Sequence, residues 1–239
     1  MKKNVKRIVC ILFIFTLSVY AVFLTYLHFF ASGGRTLSGE WTANLDLTNQ
    51  AAVTALGWLQ DIEGVSVSLE DMEPYMQDLT VQVDLTFEQT ARAQGTFQSY
   101  VLPESYDACN QAAYEAFAMA FQDILAERLR MAGYVGSTDR EAVEALVTKT
   151  FGMSTVSYLM TCAPTLLPSL EELQAQYDGS GAYSVEDGVL SRQFEVGGPA
   201  GTVTEKYIRK DTSLILIKQP GFDGEGLFLD NYPVIYTLK

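Results

Sequence analysis

Residues 41–47, Trp-Thr-Ala-Asn-Leu-Asp-Leu, alternate apolar and polar side chains. That period of two predicts a strand with one buried face. The period then lengthens. Ala52, Ala55, Leu56 and Leu59 fall at helical spacing across 49–62, and Gly64 ends that helix. Ser68 and Asp71 form a Ser-x-x-Asp pair that caps a short helix over 69–77. Alternation returns at Val81, Val83, Leu85 and Phe87, interleaved with Gln82, Asp84, Thr86 and Glu88. A second strand over 92–102 pairs with it across a tight turn near Gln89-Thr90, and Pro103 ends the sheet.

A helical block follows. Tyr106, Cys109, Ala113, Phe117, Ala120, Phe121 and Ile124 form one stripe along a helix over 104–132, closed by Gly133. Thr138-x-x-Glu141 opens a helix to about residue 150, and Gly152 closes it. Ser154 starts a short helix that stops before Pro164, and Pro168 opens another ending at Asp178-Gly179. Strands resume at 182–185 and 189–194 around Glu186-Asp187-Gly188, where Asp-Gly favours a tight hairpin turn. After a glycine-rich loop at 197–201 come strands 207–209 and 214–217, flanking Lys210-Asp211-Thr212. A Gly/Asp-rich loop at 221–231 leads to a last strand over 234–238. Strands, then helices, then a meander predict an α+β fold on an antiparallel sheet, with about seven strands.

The N-terminus obeys a different pattern. Residues 8–30, IVCILFIFTLSVYAVFLTYLHFF, hold no charge at neutral pH. As a helix they span about 34 Å, enough to cross a hydrocarbon core of about 30 Å. Lys2, Lys3, Lys6 and Arg7 precede the run and only Arg35 follows closely, which places residues 1–7 in the cytoplasm and the rest outside. The run exceeds the apolar stretch of a cleaved signal, and Ala31-Ser32 is a poor cleavage site. The expectation is an uncleaved single-pass transmembrane helix, a linker at 31–38 and one extracytoplasmic domain over 39–239. The linker's reach is only about 16 Å, so the domain stays near the membrane.

Charge and chemistry narrow the function. Beyond residue 31 the chain holds 12 basic and 29 acidic residues, a net of −17 that repels phosphate backbones and excludes nucleic acid as a partner. The single histidine, His28, lies in the apolar run. That removes Ser-His-Asp and Cys-His mechanisms and His-ligated zinc. No P-loop or G-x-G-x-x-G run occurs. Solvated surface charge accounts for the acidic residues better than carboxylate catalysis, so neither an enzyme nor a cofactor is expected. The loop Asp223-Gly224-Glu225…Asp230-Asn231 lacks EF-hand spacing and its terminal Glu, so no metal site is expected. Cys10 reads as a small apolar residue of the span. Cys109 and Cys162 lie outside. They either form a disulfide closing a loop of about 53 residues, worth about 4 kcal/mol, or remain buried free thiols on neighbouring helices.

Gly39-x-Trp41 at the head of the first strand is similar to the G-x-W start of lipocalin-like (calycin-like) domains. Three later stretches resemble the closing meander of small bacterial lipocalin-like domains. They are Gly181-x-Tyr183-x-Val185-x-Asp187-Gly188-x-Leu190, Tyr207-Ile208-x-x-Asp211-x-x-Leu214-x-Leu216, and Tyr232-Pro233…Leu238-Lys239. The order of elements resembles anchored or secreted members in Gram-positive gut anaerobes, which carry a helical insertion as residues 104–177 do here. The resemblance implies a partial or closed barrel with Trp41 packed on its floor. It implies ligand-binding candidates in Trp41, Trp58, Phe97, Tyr183 and Tyr207, with core packing the competing role for both tryptophans.

Two functions follow as expectations. One is a membrane-anchored binding module for a small apolar ligand or a cell-envelope component. The other is an interaction domain with a filled core. Val83, Leu85, Phe97, Val101, Leu190, Ile208, Leu214, Leu216 and Val234 are expected to face inward, and mostly large side chains there fill a small barrel. The stripe of Tyr106, Tyr114, Phe117 and Phe121, with Met119 and Met131, either covers the sheet or forms a groove for a peptide or lipid.

Overall fold

The computed structural model describes residues 20, 36–61, 67–91, 93–218 and 232–239. The span expected over 8–30, Tyr20 apart, and the loop at 221–231 lie outside them. Among the described residues no helix is long and apolar enough to cross a membrane.

Eight strands form a closed antiparallel barrel in chain order: β1 (Gly39–Asp46), β2 (Thr80–Ala91), β3 (Gln94–Val101), β4 (Gly179–Glu186), β5 (Val189–Gly197), β6 (Thr202–Lys210), β7 (Ser213–Lys218) and β8 (Val234–Leu238). Two helices separate β1 from β2, α1 (Thr48–Gln60) and α2 (Leu69–Met72). Four more separate β3 from β4: α3 (Pro103–Met131), α4 (Arg140–Phe151), α5 (Thr155–Cys162) and α6 (Leu170–Tyr177). The fold is α+β as expected, and it is compatible with the lipocalin-like resemblance.

The barrel is complete where about seven strands were expected. β6 starts at Thr202, not 207, and its alternation is disguised because the charged Glu205 takes an inward position. Ile208 is 52% exposed and faces outward. Tyr207 pairs with Leu216 and Arg209 with Leu214, so those two share the inward face. The β2–β3 turn falls after Ala91, three residues later than the expected Gln89-Thr90. Gly95 serves that hairpin, since a Cβ there would lie 2.0 Å from the Glu88 carbonyl oxygen. Helix starts also differ. Asp139, not Thr138, caps α4 by accepting from the Ala142 N–H at 2.8 Å. Ser169 with Glu172, not Pro168, opens α6.

Connections alternate between the barrel's two ends. The turns after Ala91, Glu186 and Lys210 share one end with Leu37, Ser38 and Lys239. Both helical insertions begin and finish at the other end. The first end is the floor, and the second is covered by the helices. Buried side chains run without interruption from Trp41 through Leu85 and Leu216 into Leu59, Phe117, Leu159 and Leu173 of the helices.

Closure depends on few bonds. β1 and β8 pair over only three residues each, Trp41 to Ala43 against Leu238 to Tyr236. The last residue reinforces them. The Lys239 N–H donates to the Glu40 carbonyl at 2.9 Å, and its Nζ lies 2.5 Å from Asp84 Oδ2. Burial pulls the Asp84 carboxyl up, but hydrogen bonds from Lys239 and Gln82 outweigh it and hold it below the ordinary aspartate value. A carboxyl lowered by folding stabilises the fold above its unfolded pKa of about 3.9, and that gain fades as pH falls through the folded value. Because Lys239 is 39% exposed, the pair is screened. Asp84→Asn is therefore expected to cost about 1 kcal/mol in urea unfolding at pH 7 and almost nothing near pH 2. An unchanged difference at both pH values would remove the ion pair from the closure.

Candidate functional site: the polar centre of the barrel

Alternation along β5 puts Leu190, Arg192 and Phe194 on one face, and along β6 it puts Val203, Glu205, Tyr207 and Arg209 on one face. Those faces point inward, so two opposite charges meet inside the barrel. Arg192 Nε and Nη2 donate to Glu205 Oε2 at 3.1 and 2.8 Å. The side chains are 3% and 2% exposed. The Tyr232 hydroxyl donates to Glu205 Oε1 at 2.6 Å. The Arg192 guanidinium lies 5.6 Å from the ring centres of both Phe97 and Phe194, a cation over an edge-to-face aromatic pair.

The electrostatics suit a fixed structure. Burial opposes the Arg192 charge, but the Glu205 carboxylate outweighs it and keeps the guanidinium protonated. Burial, then the Glu205 charge, pushes the Tyr232 hydroxyl far above the usual tyrosine range, so it remains a donor. Tyr236, deep in the same region, is raised by burial as well.

The floor is built from Trp41. It is fully buried, its Nε1 donates to the Leu37 carbonyl at 2.8 Å, and the Arg209 guanidinium lies 5.2 Å from its ring centre. Phe87 meets Tyr183 edge-on at 4.9 Å, and Phe97 meets Phe194 likewise at 4.9 Å. Of the five sequence candidates, Trp41, Phe97, Tyr183 and Tyr207 therefore face the barrel interior. Trp58 does not. It belongs to the helical cover, 5.6 Å from Phe117 and 6.0 Å from Phe121. Arg192, Glu205, Arg209 and Tyr232 were not singled out from sequence. Strand parity would have found the first three, since each lies two residues from an inward apolar position.

Clefts open at the barrel seam, beside the helices and on the outer face of the sheet. Continuing the β1–β8 register would pair Asn44 with Ile235, but the strands part there. They leave a seam of about 250 Å³ lined by Asn44, Leu45, Asp46 and residues 232–235. A groove of about 380 Å³ runs between α2 and α3, past Tyr75, Ala120, Asp123 and Ile124. A third, about 320 Å³, lies on the outer face of β2 to β5 and touches Phe97 alone among the five candidates. Among the described residues no group of three or more His, Cys, Asp or Glu could hold a metal ion. The Asp223–Asn231 loop lies outside them.

Cys109 and Cys162 are both free thiols. Of the two alternatives, the structure has the free thiols, but only one of them is buried. Cys109 lies on the buried face of α3, where burial pushes its pKa up to about 11, whereas Cys162 is exposed at the end of α5.

No family model, curated protein or solved structure matches the chain. The class defined by fold and site is thus an eight-stranded antiparallel barrel with a helical cover and a charged, filled centre.

Two outcomes test this site. Glu205→Ala leaves a buried guanidinium uncompensated and is expected to cost about 3–5 kcal/mol in denaturant unfolding, whereas Arg192→Met with Glu205→Leu together comes out near neutral. Equal losses in both variants would show that packing alone matters there. Alkylation of the folded chain, read peptide by peptide, is expected to label Cys162 readily and Cys109 only after unfolding. Protection of both until reduction would restore the disulfide.

Proposed function

We propose that the chain is a non-catalytic, membrane-anchored extracytoplasmic domain of the lipocalin-like kind that works as a protein-interaction scaffold. The observation carrying this reading is the content of the barrel. Trp41, Phe87, Phe97, Tyr183 and Tyr236 are at most 4% exposed, and the Arg192–Glu205–Tyr232 cluster sits among them. These groups occupy the space in which a lipocalin-like ligand would lie. The absence of any histidine after His28 and a Cys109 thiol held protonated at neutral pH support a non-catalytic role. The uncharged run over 8–30, with basic residues before it, supports the anchor. A partner in the cell envelope would then meet the outer strand faces or the helical cover.

The binding-module reading has one observation in its favour. The β1–β8 seam opens beside Tyr232, whose hydroxyl reaches the buried Glu205. Displacing Tyr232 would give a small ligand a lateral way to the Arg192 charge.

Native mass spectrometry of the full chain, released from nanodiscs after exposure to envelope extract, separates the readings. The scaffold reading expects the bare mass, together with a defined cross-linked protein in parallel samples. A reproducible adduct of a few hundred daltons, lost in Arg192→Met with Glu205→Leu, would overturn it in favour of ligand binding.

A further inference from the structure

α3 is 29 residues long and outruns the helical cover. Its final turns and α4 pack through a small separate cluster of Ala126, Val143 and Val147. The connection beyond them forms a tip that is fixed from both sides. Gly133, at φ +76°, closes α3, with the Tyr134 N–H donating to the Leu129 carbonyl at 2.9 Å and the Gly133 N–H to Arg130 at 3.0 Å. Arg130 Nε donates to Thr138 Oγ1 at 2.8 Å. The Tyr134 ring folds over Gly136, where a Cβ would lie 2.4 Å from it.

This ordered turn displays apolar side chains. Met131 is 73% exposed, Tyr134 47% and Val135 99%. From Arg128 to Thr138 the chain holds two arginines and no acidic residue, although the protein's net charge is −13. A convex apolar point fills no groove of its own. A fluid interface accepts such side chains without a matching pocket, tyrosine favours that depth, and arginine stems lie along it with their charge among the headgroups. Glu127, Asp139 and Glu141 stand behind the tip and limit it to a shallow entry.

We propose that the tip formed by Met131, Tyr134 and Val135 inserts into the headgroup boundary of the membrane that carries the chain; this rests on the membrane-anchored reading above. The contact need not be strong. A short linker holds the tip at an effective concentration in the millimolar range, so a weak insertion is well populated. It also fixes orientation. Leu37 and Lys239 lie at the floor, and α3 passes Trp58 of α1 and Tyr75, to which Asp123 is hydrogen-bonded. With the tip inserted, the barrel axis tilts toward the membrane plane.

The test uses the full chain in vesicles of phosphatidylcholine and phosphatidylglycerol with brominated acyl chains. Val135→Trp places a reporter at the tip, and Val53→Trp, at a 51% exposed site on α1, serves as the control. The tip reporter is expected to lose roughly half its emission relative to unbrominated vesicles, because interfacial side chains sit about 5–10 Å deep. The control keeps its emission. Adding Met131→Ser and Tyr134→Ser abolishes the quenching while the chain still floats with the vesicles. Flotation without quenching overturns the tip and leaves the anchor standing. Failure to float, with no quenching, overturns the anchor and the tip with it. Shielding of the reporter from acrylamide only when envelope proteins are added, without bromine quenching, assigns the tip to a protein partner and also overturns the proposal.

Discussion

Everything in this molecule depends on the barrel closing between its first and last strands, and that junction is its weakest ladder. β1 and β8 share three residue pairs, whereas β1 and β2 share eight. What the ladder lacks in length is supplied at its floor end. Gly39 adopts a φ of +139°, a conformation that favours glycine over any residue with a Cβ, where β1 enters this junction. Lys239 then binds Glu40 through its backbone and Asp84 through its side chain. At the other end nothing equivalent follows Ala43, and the strands part into the seam. Closure is thus firm at the floor and open toward the helices, on the side where Tyr232 reaches inward.

The charged centre is a poor device for stability. Two desolvated charges recover little more than their own dehydration, and apolar groups of equal volume would serve as well. What the pair does is fix register. Glu205 sits opposite Leu190 on β5, next to Arg192. A slip of β6 by one residue would send Glu205 to the outer face and leave Arg192 alone inside, at a cost of several kcal/mol. The Phe97–Phe194 pair beside the guanidinium and the Tyr232 hydroxyl on the carboxylate complete the arrangement. The same groups are buried at the barrel's centre, so the residues that set register also occupy its interior.

Elements with regular periodicity were legible in the sequence. Trp41 to Leu47, Val81 to Phe87, the stripe around Phe117 and the Asp187-Gly188 turn all appear where the pattern put them. The failures cluster where a polar residue faces inward or a cap lies one residue away from the obvious candidate. Glu205 and Arg209 interrupt the apolar face of β6, so the strand reads as shorter and Ile208 is taken for a core residue. Thr138 looks like a cap, but Asp139 accepts the helix N–H, and Thr138 instead accepts from Arg130. The candidate site was half legible for the same reason. Aromatic residues announce themselves as interior, while an inward charge is visible only through its partner on the next strand, and pairing is not written in either segment alone.

The position of the helices follows from the barrel. At its floor, tight turns and Trp41 close the interior without help. At the other end Leu45, Val81, Val101, Leu216 and Val234 would meet water if nothing covered them, yet each is at most 6% exposed. The two insertions supply that cover. α6 is pinned by Asp178, which accepts from the Val101 N–H at 2.6 Å, and by the Ser99 hydroxyl, which donates to the Tyr177 carbonyl. A helical cover fastened into the strand ends cannot swing aside as a loop might. The seam between β1 and β8 opens beside Tyr232, whose hydroxyl reaches Glu205 at the barrel's centre.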